Sequence, residues 1–347
     1  MLPRRTLMRA GALVLPLLAV GCSAPSRPGE PGSTPGRTAQ RLRAALAEGG
    51  TAFAECFTPG RASTAAAWFA SWRAMASVTL SDTPVGLAVA TVIGTEPHQA
   101  TFRFRIGYRG DRIAEATALA GEPIWFRTAV GARSEAGVAV VTVPEAAAET
   151  WVVAARQARD RLIEVLGAGV PPGDLVVELP ADVSAFLRRS PTRMDPATAA
   201  FTHDAADSGP RVVLNPSVVG SFDAVDRAGL LTHEGVHALL RTPQSPAPLV
   251  LVEGLAEWAS VPVWPAARRA NEAALAGLDA VAVPADAEFR AGGVGEAVAY
   301  ASSEVVVAGC VRRWGVETVT GWIAGEGPAP SETDLRRVGA AELTRRR

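Results

Sequence analysis

The chain contains 347 residues, of which 48% are hydrophobic and 20% are charged. This length and composition allow two ordinary domains with buried cores. The formal net charge of −1 argues against a protein that binds nucleic acid by neutralising its phosphates, so we expect no nucleic-acid partner.

The N-terminal residues are similar to a targeting segment followed by a tether. Residues 1–22 begin with a basic stretch, continue with the short apolar run Ala10–Val20 and end in Gly21-Cys22, the pattern of a lipoprotein signal peptide. The apolar run is too short to span a bilayer as a helix. We therefore expect an exported protein that a lipid on Cys22 anchors to the outer face of the cytoplasmic membrane; the alternative is an ordinary secretory signal with a chance cysteine. Residues 23–38 are rich in Pro, Gly and Ser and predict a flexible linker.

Residues 39–144 predict a small α+β domain. Its predicted helices are Arg41–Phe57 and Thr64–Ala76, and its predicted strands are Gly86–Ile93, Thr101–Arg109, Ile124–Val130 and Gly137–Val143. In Thr101–Arg109 apolar and basic side chains alternate, which is typical of an antiparallel strand with one buried and one solvated face. Helices followed by an antiparallel sheet resemble NTF2-like or cystatin-like domains in element order.

Residues 145–347 predict a mostly helical domain with a small sheet, so the fold class of the whole chain is α+β. The predicted helices are Glu145–Leu166, Val183–Arg189, Asp223–Leu240, Leu251–Ser260 and Gly295–Trp314, and the predicted strands are Asp174–Leu179 and Arg211–Asn215. Asp223 or Asp226 is placed to cap the first turn of its helix.

The sequence His233-Glu234-Gly-Val-His237 carries the strongest functional signal. On a helix, residues four apart lie about 40° from each other around the axis, so both imidazoles reach one metal ion. Glu234 projects about 100° from His233, where its carboxylate meets a water bound to that metal. Zinc lowers the pKa of such a water, and the Glu accepts its proton during attack on a carbonyl. The flanking leucines predict a buried helix, in which His and Glu are costly unless they are paired or bind a metal.

A second motif follows at Leu251–Trp258, Leu-Val-Glu-Gly-Leu-Ala-Glu-Trp. It is similar to the motif with which the gluzincins, a family of zinc metallopeptidases, supply their third metal ligand. The resemblance covers residues 145–325 and is strongest at 232–258. It implies a gluzincin-like peptidase domain that binds Zn²⁺ and in which Glu253 is the third ligand.

The same resemblance implies further roles. Fifteen residues separate His237 from Glu253, a few fewer than is usual in the family, and the Pro-rich loop 242–248 accommodates the difference, as in peptidase-MA-like proteins. Glu257 is expected to accept a hydrogen bond from a ligating imidazole; the alternative is a surface carboxylate. Tyr300 is expected to stabilise the oxyanion; the alternative is a core aromatic.

The remaining cysteines and histidines leave alternatives open. Cys56 and Cys310 either form a disulfide that links the two proposed domains or remain as two buried free thiols. His203 either lines the cleft or lies in a surface loop. His98 follows a proline in a predicted turn, and we expect no chemical role for it.

Together these patterns predict a zinc metallopeptidase of the cell envelope with Glu234 as general base. The family resemblance implies that an edge strand at Arg211–Asn215 pairs with an extended peptide or protein substrate. The chain has no Gly-rich exopeptidase motif before the zinc site, which favours an endopeptidase. Two alternatives are a non-catalytic envelope lipoprotein that keeps the metallopeptidase fold, and a metal-free domain in which the two histidines are merely packed.

Overall fold

A computed structural model describes residues 37–84, 86–93, 99–119, 122–143, 147–167, 170, 173–190, 194–205 and 209–347. The predicted signal peptide with Cys22, nearly all of the predicted linker, His98 and the predicted domain boundary at residue 144 lie outside these residues. The described part of the chain is α+β, as expected, with an N-terminal sheet module followed by a mostly helical part.

The described residues form twelve α-helices and nine β-strands. The helices are α1 (Thr38–Glu48), α2 (Gly50–Glu55), α3 (Ala62–Ala74), α4 (Ala148–Leu166), α5 (Val183–Arg189), α6 (Pro216–Val219), α7 (Ala224–Leu239), α8 (Leu249–Ser260), α9 (Pro265–Leu275), α10 (Gly293–Trp314), α11 (Val316–Ala324) and α12 (Glu332–Arg346). The strands are β1 (Ser77–Thr83), β2 (Gly86–Val92), β3 (Gln99–Arg109), β4 (Arg112–Ala118), β5 (Gly131–Glu135), β6 (Val138–Thr142), β7 (Leu175–Leu179), β8 (Ala200–Ala205) and β9 (Gly209–Leu214).

The first sheet is an antiparallel meander in the order β1-β2-β3-β4. Helices α1 to α3 bury its apolar face around a cluster of aromatic rings. Trp68 lies at the centre of this cluster, and its indole donates a hydrogen bond of 3.0 Å to the carbonyl of Phe126. The alternation seen in Thr101–Arg109 therefore describes β3 well, because its apolar side chains point into this core.

The second sheet has the order β5-β6-β7-β9-β8 and is mixed. Strand β7 is parallel to both β6 and β9, whereas β5 and β8 are antiparallel to their neighbours. The predicted strand 137–143 is therefore present as β6 and pairs within the second sheet, while Ala139 and Val141 also pack in the first core. All five residues of β6, three of them valines, are buried, because the strand lies inside the sheet beside the parallel strand β7 and is covered on both faces.

Two other predicted elements differ from the structure. Ile124–Val130 is a turn rather than a strand, because its aromatic residues fill the first core. The predicted helix Arg41–Phe57 is split into α1 and α2 by Gly49, whose φ of +127° is outside the helical region. Strand β8 was not predicted from the sequence. It contributes Thr202, which contacts Glu234.

Helices form a layer against the second sheet. Helix α7 packs on the sheet and on α4, α8 packs against α7, and α10 packs between α8 and α12. By length and composition α10 is apolar enough to cross a membrane, but 72% of its most apolar window is buried inside the structure. This extent of burial is typical of a core helix.

Both described cysteines are buried free thiols, the second of the two alternatives that the sequence left open. Cys56 belongs to the core of the first sheet, and Cys310 belongs to the helical core around α8 and α10. Burial raises the pKa of the Cys310 thiol to about 12, so this cysteine stays protonated.

Candidate metal centre

Helix α7 carries the histidine motif into the interior. Asp223 caps the helix by accepting a hydrogen bond from the backbone N–H of Asp226 at 2.8 Å. All residues from Gly229 to Leu239 are buried. A Cβ on Gly235 would lie 2.6 Å from Leu162 of α4, so glycine permits the close packing that holds this part of α7 in place.

Helix α8 brings Glu253 to the same place. A Cβ on the neighbouring Gly254 would lie 2.5 Å from the backbone oxygen of Ser303, so α8 and α10 approach each other closely at this point. Between α7 and α8, Arg241 adopts a left-handed conformation with φ +51° and forms a two-bond ion pair with Asp204 of β8, with both distances 3.0 Å. This ion pair ties the turn after α7 to β8.

The side chains of His233, His237 and Glu253 converge as predicted. Glu253 Oε2 lies 3.6 Å from His233 Nε2 and 3.4 Å from His237 Nε2, and the two Nε2 atoms are 3.3 Å apart. One ligand atom from each residue lies within 4.8 Å of the others. All three side chains are buried.

The arrangement fits a zinc ion. Two imidazole nitrogens and one carboxylate oxygen form the donor set of catalytic zinc sites, which leave a further position open. Glu253 Oε2 is buried and has no hydrogen-bond partner among the described residues. An orphaned carboxylate oxygen that faces two imidazole nitrogens is costly without a cation between them.

The protonation equilibria of the cluster also favour positive charge at this point. Burial opposes a charge on His233, but the carboxylates of Glu253 and Glu257 outweigh it and raise the pKa of His233 to about 10. Burial likewise favours neutral Glu253, but His237 and His233 outweigh it and lower the pKa of Glu253 to about 2. A divalent cation at the Nε2 atoms would likewise compensate the negative charge of the nearby carboxylates.

A second layer of side chains orients the imidazoles. Glu257 is buried rather than at the surface, and its Oε1 lies 3.3 Å from His233 Nδ1, although these two atoms do not have hydrogen-bond geometry. The amide of Asn271 donates a hydrogen bond of 2.9 Å to Glu257 Oε2. His237 Nδ1 lies 2.6 Å from Thr242 Oγ1. A polar side chain thus lies on the Nδ1 side of each imidazole, while the two Nε2 atoms face each other and Glu253.

Glu234 is held from β8. Thr202 Oγ1 lies 2.8 Å from Glu234 Oε2 and 3.1 Å from the Glu234 backbone oxygen, and its hydroxyl donates to this pair of acceptors. The other carboxylate oxygen, Oε1, is buried and has no hydrogen-bond partner in the described part of the chain. It is the oxygen with which Glu234 can accept a proton.

Tyr300 lies beside the cluster. It is buried on α10, its ring centroid is 6.4 Å from that of His233, and Phe289 packs edge-on against it at 5.3 Å. Burial and the negative charges of nearby glutamates, Glu253 first among them, raise the pKa of Tyr300 well above its ordinary value. Its hydroxyl therefore keeps its proton.

His203 lies neither in a surface loop nor beside the metal centre. It belongs to β8, where successive side chains alternate between faces, and its neighbour Thr202 is the residue that faces α7. Its own surroundings include Arg211 and Arg189. The predicted edge strand is also corrected: β9 lies between β7 and β8, so β8 is the edge of the described sheet on this side.

Sequence reasoning missed three residues of this site: Thr202, Thr242 and Asn271. Thr202 and Asn271 lie 32 and 14 positions away from the groups they contact, and no pattern connects them. Thr242 begins the Pro-rich loop, five residues after His237. This spacing predicts a contact between the two side chains only if the chain is known to turn back after α7.

No family model matches the chain, and no curated protein or solved structure is significantly similar to it. The likeness to NTF2-like or cystatin-like domains and to the gluzincins therefore remains a prediction from the sequence. The interpretation of the metal centre depends on the contacts described above.

Proposed function

We propose that this protein is a zinc metallopeptidase that hydrolyses internal bonds of peptide or protein substrates. One observation carries the proposal: the ligand atoms of His233, His237 and Glu253 converge, and the carboxylate of Glu234 projects from the same helix with one oxygen unpartnered among the described residues. A merely packed pair of histidines would not need two buried carboxylates and a proton acceptor around it.

The proposed mechanism assigns one task to each side chain. Bound Zn²⁺ would polarise the scissile carbonyl and lower the pKa of the attacking water. Glu234 accepts a proton from that water through Oε1 and later delivers it to the leaving amine. Thr202 holds the other carboxylate oxygen in place while this happens. Tyr300, protonated and buried, donates a hydrogen bond to the developing oxyanion.

Strand β8 supports a peptide as the substrate. It is an edge strand in the described sheet, and its residue Thr202 contacts the proposed general base. An extended peptide that adds to this edge would place its backbone along the metal centre by β-strand addition. The absence of an exopeptidase motif favours cleavage within the chain. Export and a lipid anchor at Cys22 belong to the same proposal, since an envelope enzyme would meet extracytoplasmic polypeptides.

The experiment combines metal analysis with digestion of a broad peptide library by purified full-length protein. We expect one zinc ion per chain and cleavage by the wild type. Glu234→Gln is expected to retain the metal and to lose at least about 99% of the activity, because general-base catalysis contributes factors of about 10² to 10⁴. Glu272→Gln, which changes an exposed glutamate on α9, is the matched control and should behave like the wild type.

Equal activity of the Glu234→Gln variant and the wild type would overturn the mechanism. Bound zinc without cleavage of any library peptide would instead favour the non-catalytic envelope protein. Absence of stoichiometric zinc after mild purification would favour the metal-free alternative.

A further inference from the structure

The side chains of the metal centre are closed off from solvent. His233 and Glu234 are 0% exposed, and His237, Glu253 and Tyr300 are each 1% exposed. A peptide that is to be cleaved must bring its carbonyl group into contact with these side chains, because general-base and metal-assisted hydrolysis need the reacting atoms within a few ångströms of one another. Part of the structure therefore has to move before a substrate reaches the site.

Most elements around the site are tied firmly to the rest of the structure. Helix α8 packs against both α7 and α10, and β8 is hydrogen-bonded to β9. The turn after α7 is held twice: Arg241 pairs with Asp204 on β8, and the hydroxyl of Ser245 donates a hydrogen bond of 2.6 Å to the carbonyl of Ile323 on α11. Displacing any of these elements would break helix packing, sheet hydrogen bonds or an ion pair.

The segment 276–292, between α9 and α10, is built differently. Its regular structure is a single 3₁₀ turn at Glu288–Arg290. In the described part of the chain, its backbone donates hydrogen bonds to backbone carbonyl oxygens three residues earlier, and not to those of another helix or strand. Segments of more than about 12–15 residues with so little regular structure are uncommon in compact domains and often serve as lids over a site.

One residue of the segment reaches the metal centre. Phe289 is 3% exposed, and its ring packs edge-on against Tyr300 with the ring centroids 5.3 Å apart. The Tyr300 ring in turn lies 6.4 Å from that of His233. These three rings form a row from a metal ligand to the segment, whereas residues 285–288, directly before Phe289, are exposed. Withdrawal of Phe289 would therefore uncover Tyr300.

A few side-chain contacts hold the segment in its closed position. Asp286 accepts a hydrogen bond of 3.1 Å from the backbone N–H of Leu249 at the start of α8, and Arg347 donates to the carbonyl of Leu278. Val281 is buried in the helical core together with Phe289. Few buried contacts and exposed backbone are typical of the parts of a protein that open locally while the core stays folded.

Glycines near both ends of the segment provide hinges. Gly277 has φ +78° and Gly292 has φ +75°, values in the left-handed region. A Cβ on either residue would meet nothing within 4 Å, so close packing is not the reason for glycine at these positions. The backbone conformation of the closed segment is the reason, because other residues adopt it only with strain.

We propose that residues 276–292 form a lid, which turns about Gly277 and Gly292 and carries Phe289 away from Tyr300 to open the metal centre. That an extended peptide is what enters through the open lid rests on the proposed function. The opening itself does not, since it follows from the burial of the site and from the construction of the segment. Lids of this kind open on microsecond to millisecond time scales.

Nitration of Tyr300 by tetranitromethane measures the opening without a substrate. The chain has two tyrosines, and half-buried Tyr108 in the N-terminal module is the internal reference. Mass spectrometry of peptides from the treated full-length protein gives both rates. Gly277→Ala and Gly292→Ala strain the closed lid, whereas the open lid can relax to a right-handed conformation. We expect each variant to raise the nitration rate of Tyr300 about fivefold or more and to leave that of Tyr108 unchanged.

Gly315→Ala is the matched control. Gly315 flanks the other end of α10 with φ +84°, and a Cβ there would likewise meet nothing within 4 Å. This variant carries the same backbone strain outside the lid, so its Tyr300 should be nitrated at the wild-type rate. Equal rates in the wild type and the two hinge variants, or an equal rise in Gly315→Ala, would overturn the lid. Digestion of library peptides bears on the proposed function alone, so the failure of one proposal is distinguishable from that of the other.

Discussion

Asn271 donates a hydrogen bond of 2.9 Å to Glu257, and the other oxygen of the same carboxylate lies 3.3 Å from His233 Nδ1. Helix α9 is thereby connected to the metal centre through α8. The amide holds the carboxylate, which lies on the Nδ1 side of the imidazole, and the Nε2 of that imidazole faces Glu253 and His237. Neither group needs to touch a substrate to influence how tightly a metal is bound.

We expect Glu257→Gln to weaken zinc binding about 10- to 100-fold, because an amide orients and polarises His233 less well than a carboxylate. Asn271→Leu should weaken binding to a smaller extent, since it removes only the support of Glu257. Competition with a chromogenic chelator measures both affinities. Glu272→Gln is the neighbouring control, and an affinity loss in this exposed variant as large as that in Glu257→Gln would contradict the specific role.

Thr202 should control the rate of catalysis rather than substrate binding. Thr202→Val keeps the size of the side chain but removes the donor to Glu234 Oε2. We expect kcat to fall about 10- to 100-fold, the effect of losing a hydrogen bond to a charged group, with KM and zinc content nearly unchanged. Thr202→Ser retains the hydroxyl and should restore most of the rate. If the serine variant is as slow as the valine variant, packing rather than the hydrogen bond is responsible.

His203 should make the folded protein sensitive to acid. Burial, together with the positive charges of Arg211 and Arg189, lowers the pKa of His203 from 6.5 to about 4, and Glu178 and Asp204 only partly oppose this. Below pH 6.5 the unfolded chain binds a proton that the folded protein accepts only near pH 4, so the free energy of unfolding decreases as the pH falls through this range. His203→Gln should show a flatter dependence in urea unfolding between these pH values. Parallel curves for the two proteins would contradict this assignment.

The contact between α8 and α10 leaves no room for a side chain at Gly254. A Cβ there would lie 2.5 Å from the Ser303 backbone oxygen and 2.6 Å from Val307 Cγ2. We expect Gly254→Ala to destabilise the protein by about 1–3 kcal/mol and to weaken zinc binding, because α8 must shift and takes Glu253 with it. Gly295→Ala is the control, since its Cβ would meet nothing nearer than 4.0 Å. Thermal unfolding and zinc titration of both variants check the prediction.

The positions of the metal-centre residues follow from local sequence to different degrees. His233 and His237 lie on one helix, so the period of the helix alone places their side chains on the same face. Glu253 is on another helix, and the sequence indicates it only through a motif; its distance of 3.4 Å to His237 depends on the packing of α8 against α7 and α10. Thr202 was not predicted at all, because β8 contains no strong strand pattern.

By itself the sequence determined the α+β class and the pairing of His233 with His237, because both depend on short-range periodicity. Only the tertiary structure decided that β6 joins the second sheet, that β8 rather than β9 is its described edge, and that Cys56 and Cys310 lie in separate cores. Sheet order and helix packing depend on how distant apolar surfaces fit together, and that information is spread over the whole chain rather than contained in any one segment.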